Sequence, residues 1–443
     1  MKIHTFRGGI HPDDAKSLTS GKPIINLSPC KTYIIPLSQH IGAPNKPLVK
    51  PGDHVFLGQK IGDSDAYVSA PVHSSVSGTV KEITKHLTPS GQECDCIIIE
   101  NDFKEELDPS VRKLGGINSV TSEQIVKAVR DAGIVGMGGA GFPTHVKITP
   151  PKEDTIDTVI VNGAECEPFL TSDHRVMLER PYEVINGLRL LMKAVKVKRG
   201  VIAIEENKPD AIKLLTEKTA EFPEIEICIL KTKYPQGSEK HIIKAVTGRE
   251  VKSGKLPSSA GVVVVNIDTC TACARRVLEG MPLIRRIVTL SGNCFSEPAN
   301  YRVKIGTPFS YLIEQAGGFS KEPAKLIMGG PMMGITQYSL DVPVVKGTGA
   351  VLAFDESWAK SYEEKNCTRC GRCIKACPMG LAPVQLNLYS VYNDLDAAQK
   401  ANVMDCIECG ACTYVCPCRR QLVQRFRVMK QKIQEIQKKE AAK

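Results

Sequence analysis

Two cysteine runs near the C-terminal end constrain this chain more than anything else in it. Residues 367–377 read CTRCGRCIKAC and residues 406–416 read CIECGACTYVC, and a proline, Pro378 or Pro417, follows each. Both are C-x2-C-x2-C-x3-C-P, the bacterial spacing that ligates 4Fe–4S clusters. Three cysteines on one tight loop aim thiolates at three corners of a cube, and the fourth, held before proline, turns away to serve the other cluster. The expected ligand sets are therefore Cys367, Cys370, Cys373 and Cys416 for one cluster, and Cys406, Cys409, Cys412 and Cys377 for the second. Zinc sites need four ligands each and commonly mix in histidine, which two identical all-cysteine runs do not. Disulfides need an oxidising compartment, for which nothing else in the sequence speaks.

The remainder of the chain is then expected to give electrons to this relay or take them from it. At 443 residues the length favours about three domains. The opening MKIHTFRGGI lacks the apolar core of a signal peptide, and no apolar run approaches the roughly 20 residues needed to span a bilayer. Seventeen cysteines without a secretory signal fit metal ligation in a reducing cytoplasm. The net charge of +10 is uneven, because residues 419–443 carry nine lysines and arginines against Glu435 and Glu440. The basicity is thus mostly a tail, which argues against a nucleic-acid-binding surface.

Residues 1–115 read as short β-rich runs punctuated by Gly, Pro and Ser, most clearly VKPGDHVFLGQKIG (49–62) and VSAPVHSSVSGTVKEI (68–83). The pattern is similar to the barrel-sandwich hybrid fold of biotinyl and lipoyl carriers. No lysine stands between Lys60 and Lys81, so a swinging arm is missing and a structural or docking role is expected. A helix follows at about 120–132, capped by Thr121 or Ser122. Next comes GIVGMGGAGFPTHVK (133–147), where glycines at 136, 138, 139 and 141 expose backbone N–H groups to a phosphate or a flat ring. DTVIVNGAECEP (157–168) is a strand running out into Asn162, Glu165 and Glu167. Strands at 201–206, 224–230 and 261–266 alternate with helices near 209–221 and 238–247, which predicts a parallel α/β sheet with ligands at the strand C-termini.

These segments resemble a known module. GMGGAGFPTHVK (136–147) looks like the GRGGAGFPTGxK loop of the NADH- and flavin-binding subunit of respiratory complex I. NGAECEP resembles its NADEGEP, YPQGSE (234–239) its YxCGEE, and NIDT (266–269) its NVET. With a β-rich domain before this module and a tandem ferredoxin after it, the chain is most similar to the RnfC family, the C subunits of Rnf complexes, over about residues 5–418. The Rnf complex is a membrane-bound, ion-pumping ferredoxin:NAD oxidoreductase.

The resemblance implies a multidomain α/β protein. It comprises a barrel-sandwich-hybrid domain (1–115), a parallel α/β FMN/NADH domain (116–280), an SLBB β-grasp domain (281–352), a tandem 4Fe–4S ferredoxin domain (353–418) and a basic C-terminal helix (419–443). It implies an FMN site in which Gly136, Gly138, Lys147 and Asn162 match the positions that hold phosphate, ribityl chain and ring. Phe142 matches the aromatic that stacks on nicotinamide, Glu167 and Glu239 match carboxylates near the nucleotide, and Tyr234, Gly237 and Asn266 line the same pocket beside Glu165. Three positions depart from the pattern: Met137 replaces an Arg, Ala164 an Asp, and Ser238 a Glu.

The function implied is hydride exchange between NAD(H) and FMN followed by one-electron hops through two 4Fe–4S clusters. The partners implied are membrane-integral and peripheral subunits, including a ferredoxin-like iron–sulfur subunit, on the cytoplasmic face of the membrane. Two other readings are a non-catalytic relay or adaptor subunit, and the flavoprotein subunit of a soluble hydrogenase or formate dehydrogenase. Cys166 is expected to be a small buried hydrophobe, and Cys270 and Cys273 to pack in a helix start. In the terminal segment Leu422, Phe426, Met429, Ile433 and Ile436 recur at helical spacing, fitting either packing on the ferredoxin domain or contact with an anionic surface or acidic partner.

Overall fold

The computed structural model describes residues 2–441. Its centre is a five-stranded parallel sheet in the order Ile3–His4, Ile225–Leu230, Arg199–Glu205, Thr158–Gly163, Val262–Asn266. The runs TVIV, VIAI and VVVV are apolar without alternation because helices cover both faces of the sheet. On one face Val159, Val161, Ile202, Ile204, Val263 and Val265 pack against the helices Pro181–Val195 and Ile267–Glu279. On the other, Ile160, Val201, Ala203, Val262 and Val264 meet Ile242, Ile243 and Val246 of the helix Glu239–Thr247. The helix Ser122–Asp131 begins at Thr121 with a full capping box, Thr121 and Gln124 each bonding the other's backbone N–H.

The barrel-sandwich part holds a four-stranded antiparallel sheet (Thr32–Pro36, Glu93–Asn101, Gly78–Leu87, His54–Val55) and a three-stranded one. The link 74–77, which joins Val72–His73 of the three-stranded sheet to Gly78–Leu87 of the four-stranded one, is buried, with Ser74, Ser75 and Ser77 wholly inaccessible. Ser75 Oγ donates to the Ile305 carbonyl at 2.6 Å, and the buried Lys346 ammonium bridges the Pro71 and Gly133 carbonyls at 2.6 and 2.7 Å. This stretch is thus a structural joint between three units.

The β-grasp part is a six-stranded sheet around Arg285–Gly292 and Ala350–Phe354, with the helix Phe309–Gln315 packed on it. Its edge strand is Ile25–Asn26, from near the chain's start. Residues 3–26 therefore lend a strand to the parallel sheet and another to the β-grasp sheet before the barrel begins. In the C-terminal part, Leu386, Ala398, Val403, Phe426, Met429 and Ile433 form one small core. The helix Leu422–Ala441 packs on the ferredoxin domain as far as Ile433, while Ile436 beyond it is exposed.

Candidate functional site

The two cysteine runs begin with the same backbone curl. Arg369 and Glu408 adopt left-handed φ of 54° and 57°, and Gly371 and Gly410 follow at 72° and 80°. This curl turns the Arg369 N–H onto Cys367 Sγ and the Glu408 N–H onto Cys406 Sγ, each at 3.4 Å. One cavity is lined by Cys377, Cys406, Cys409 and Cys412, walled by Leu381, Leu386 and Phe426. A second, wider cavity is lined by Cys367, Cys370, Cys373 and Cys416, with Arg369, Arg372 and Arg420 at its edge. The fourth cysteine of each run stands with the first three of the other, and each cavity presents four thiols of the kind an iron–sulfur cluster takes.

The two cavities differ in depth. Cys409 and Cys412 are buried, and burial pushes their thiols up, that of Cys409 to about 11. Cys367 and Cys370 are exposed, and the Arg372 backbone N–H draws the Cys370 thiol below its ordinary value. The deeper cavity abuts the α/β sheet through a three-way junction. There Ile10, Tyr234, Ala376, Cys409 and Ala411 pack together with Cys166 and Met332.

At the C-terminal edge of the parallel sheet, Asn162 and Asn266 lie in register on adjacent strands. The glycine loop crosses above them. Gly136 N donates to the Phe142 carbonyl at 2.9 Å and Met137 N to Thr269 Oγ1 at 2.9 Å, so the loop is tied to itself and to the start of the helix Ile267–Glu279. A Cβ at Gly138 would fall 2.9 Å from Asn266 Nδ2, while above Gly139 the space is open. The exposed run 138–140 therefore offers bare backbone next to two strand-end amides, a cradle that any side chain on Gly138 would fill. Lys147 reaches the same edge, bonding the Glu239 carboxylate and, at 3.0 Å, the Val264 carbonyl. Asn162 Nδ2 holds the Gly237 carbonyl at 2.7 Å. Gly136, Gly138, Lys147, Asn162, Gly237, Glu239 and Asn266 are thus gathered in one place, with half-buried Phe142 at the end of the loop. A cationic lysine, open backbone and strand-end amides are the donor set a flavin phosphate and ring require.

Three expected pocket residues have their side chains engaged elsewhere. Glu165 turns back at φ 47° and accepts the Asp173 and His174 N–H groups at 2.7 and 3.3 Å, capping the helix Ser172–Glu179. Glu167 accepts the N–H groups of Met332 and Met333, both at 3.0 Å, and desolvation pushes its carboxyl up to about 7. Tyr234 donates its hydroxyl to the Cys409 carbonyl at 2.7 Å.

Several residues that shape the site carry no local sequence signal. The buried Lys16 ammonium gathers the carbonyls of Glu165, Glu167 and Leu170 and so fixes the loop between them. Arg286, from the β-grasp strand, pairs with Asp268 beneath the glycine loop and reaches the Met137 carbonyl at 3.4 Å. Burial, with Glu165 and Asp268 close by, pushes the Asp173 carboxyl up to about 8, where Asn266 Nδ2 donates to it at 2.6 Å. Gly8 and Gly9 thread between the cysteine loop and Tyr234; a Cβ on Gly8 would meet the Cys377 carbonyl at 2.8 Å, and Gly9 N donates to the Ala376 carbonyl at 3.0 Å. His11 is an exposed residue bonded to the Thr232 carbonyl. The Cys166 thiol accepts the Gly237 N–H at 3.3 Å and is pushed well above its ordinary value by desolvation. Cys270 and Cys273 are wholly buried in the helix Ile267–Glu279.

Four family profiles match in succession: the RnfC barrel sandwich hybrid domain (4–104), the Nuo51 FMN-binding domain (129–275), the SLBB domain (287–336) and a 4Fe-4S dicluster domain (359–417). The chain is 46% identical to the C subunit of the Na(+)-translocating ferredoxin:NAD(+) oxidoreductase complex of Acetobacterium woodii, over 98% of each chain. It is 45% identical to the C subunit of the proton-translocating ferredoxin:NAD(+) oxidoreductase complex of Clostridium ljungdahlii, over 100% of this chain and 96% of that one. With the C subunit of the ion-translocating oxidoreductase complex of Rhodobacter capsulatus it shares 43%, over 99% and 85%. In fold it is similar to a chain of an NAD+-reducing [NiFe]-hydrogenase, with a TM-score of 0.51 and 19% identity over 71% of this chain and 63% of that one. The chain belongs to the family of C subunits of ion-translocating ferredoxin:NAD(+) oxidoreductase complexes.

Proposed function

We propose that this protein is the NAD(H)-oxidising or -reducing peripheral subunit of an ion-translocating ferredoxin:NAD+ oxidoreductase, using FMN and two 4Fe–4S clusters. FMN, when bound, supplies the exchange between the two-electron chemistry of NAD(H) and the one-electron chemistry of the clusters. Gly136, Gly138 and Lys147 would hold its phosphate end, and Asn162, Gly237 and Asn266 its polar edge. Phe142 offers the flat face for nicotinamide, and Glu239 stands beside Lys147 where the nucleotide enters. Glu165 and Glu167 frame this pocket through the loops they pin, while the Tyr234 side chain is turned away from it to the Cys409 carbonyl. No side chain is needed as a general acid or nucleophile.

The observation that carries this reading is the arrangement of the two four-cysteine cavities. The one ringed by Cys377, Cys406, Cys409 and Cys412 is walled in against the flavin module. The one ringed by Cys367, Cys370, Cys373 and Cys416 opens to the surface among Arg369, Arg372 and Arg420. Electrons would pass from the flavin side through the inner site to the outer one, and there to an iron–sulfur partner subunit with an acidic face. The five segments 1–115, 116–280, 281–352, 353–418 and 419–443 divide the work, with strands from residues 3–26 tying the first to the second and third. No helix among the described residues is long and apolar enough to cross a membrane. Partner subunits would hold the chain at the cytoplasmic face. The visible spectrum of anaerobically purified protein tests the reading: NADH should bleach a flavin band and then lower the broad iron–sulfur absorbance. Absence of both changes in FMN-reconstituted protein would leave a non-catalytic adaptor.

A further inference from the structure

The loop 234–239 touches two sites at once. At one end the Gly237 carbonyl accepts Asn162 Nδ2 at 2.7 Å and the Gly237 N–H is held by Cys166 Sγ at 3.3 Å, which fastens it to the sheet edge where the flavin pocket lies. At the other end Tyr234 is 1% exposed and its hydroxyl donates to the carbonyl of Cys409, at 2.7 Å, inside the ferredoxin domain. The tyrosine is held still from behind. Its backbone exchanges two hydrogen bonds with Ile10, Ile10 N to Tyr234 O at 2.8 Å and Tyr234 N to Ile10 O at 2.9 Å. Ala376, Ala411, Cys166 and Met332 enclose it.

A phenol this deeply buried must spend its hydroxyl on a partner, and here the partner belongs to a cysteine lining the inner cavity. We propose that Tyr234 is a positioning residue for the inner cluster, not a flavin contact: its O–H bond anchors the Cys409 carbonyl and thereby sets the geometry and redox potential of that cluster. This rests on the reading that Cys377, Cys406, Cys409 and Cys412 hold a cluster. The physical reason is electrostatic. A carbonyl oxygen near a cluster disfavours the added electron, and a hydrogen-bond donor on that oxygen offsets it; hydrogen bonding and solvent access are among the terms that set cluster potentials. A phenol is protonated at working pH, so Tyr234 is a neutral donor there. No proton or bond is exchanged at Tyr234; the electron passes and the tyrosine keeps its hydrogen.

The test compares wild type with Tyr234→Phe in the FMN-reconstituted, iron-loaded full chain, by EPR-monitored redox titration. Tyr234→Phe should keep its FMN content, its iron content and full NADH bleaching of the flavin. The inner-cluster signal should change line shape, and its midpoint should move to more negative potential by about a fivefold change in the oxidised-to-reduced ratio, the size of a neutral hydrogen bond's net contribution. The outer-cluster signal should not move. Fluorotyrosine placed at 234, a stronger donor of the same shape, should shift the same midpoint the opposite way, which separates electrostatics from packing. Cys409→Ser identifies which signal is the inner one. If Tyr234→Phe shifts neither cluster, or shifts the signal that survives Cys409→Ser, the proposal is overturned while the cluster assignment stands. Loss of FMN with both clusters unchanged would return Tyr234 to the flavin pocket. A Cys409→Ser protein that loses neither cluster would overturn the assignment itself.

Discussion

A Cβ on Gly330 would fall 2.2 Å from Oε2 of Glu167. The β-grasp turn can lie on that carboxylate, and deliver the Met332 and Met333 N–H groups to it, only because position 330 has no side chain. The Met332 side chain and carbonyl in turn approach Gly410 of the inner cysteine loop, so this contact sets how the β-grasp and ferredoxin parts meet. Gly330→Ala should loosen the turn and speed hydrogen exchange at residues 332–334, with the parallel sheet unaffected.

Glu167 makes the same contact pH-dependent. Its folded-state value of about 7 lies above the ordinary carboxyl value of 4.5, so the folded protein holds a proton there that the unfolded chain has released. The sign follows: the contribution is fully present below the unfolded value and is lost as pH rises towards the folded one. Between about pH 5 and 8 the Glu167→Gln variant, which does not titrate, should gain on the order of 2–3 kcal/mol relative to wild type. Anaerobic denaturant titrations at both pH values measure the difference, and a constant gap would refute it.

Lys147 and Phe142 address opposite ends of the proposed flavin site. Lys147→Ala removes a charge-assisted contact worth about 1.5–3 kcal/mol, so FMN should bind tenfold or more weakly. Phe142→Ala should weaken NADH binding with FMN content nearly unchanged. Equilibrium dialysis with FMN and NADH titration of the reconstituted protein separate the two, and both variants should keep their iron.

The paired cavities make a sharp prediction for the fourth cysteine of the second run. Cys416 lines the outer cavity with Cys367, Cys370 and Cys373. Cys416→Ser should therefore damage the outer cluster and spare the inner one, although Cys416 sits in the inner run. EPR of the reduced variant, with iron counted against about eight per wild-type chain, decides it.

The terminal helix divides at Ile433. Phe426, Met429 and Ile433 are buried, so Phe426→Ala should cost about 3–5 kcal/mol. Removing residues 437–443 should leave the melting temperature unchanged, and any docking that it weakens should be sensitive to salt.

What was legible in the sequence was whatever depends on near neighbours. The cysteine spacing and the alternation of apolar strands with helices are short-range patterns: the strands Arg199–Glu205, Ile225–Leu230 and Val262–Asn266 and the helices Pro209–Thr219 and Glu239–Thr247 follow the reading within two residues, whereas the helices Ser172–Glu179 and Pro181–Val195 were not read from it. The buried link at 74–77 was half legible: the missing lysine between Lys60 and Lys81 excluded a carrier, but no local pattern named Ile305 as the partner of Ser75. Glu165 and Glu167 look equivalent in sequence, two carboxylates in one loop. Their separate tasks depend on a helix that begins seven residues on and a turn that lies 165 residues away. Tyr234 is of the same kind, since its partner Cys409 is 175 residues distant. Ile3–His4 is too short to show a period at all.

That last pair has a consequence for biosynthesis. Ile3 and His4 align with Ile229 and Leu230, and Gly8 lies against the Cys377 carbonyl, so this segment is made well before its partners. At a synthesis rate of about 5–20 residues per second, the first strand waits on the order of ten to forty-five seconds for its neighbour, and the Gly8–Gly9 strap waits longer still. The nascent chain must carry this partly apolar segment unpaired until those partners have been made. The parallel sheet is thus completed at its edge only after its middle exists, and its junction with the inner cysteine loop is among the last contacts to close.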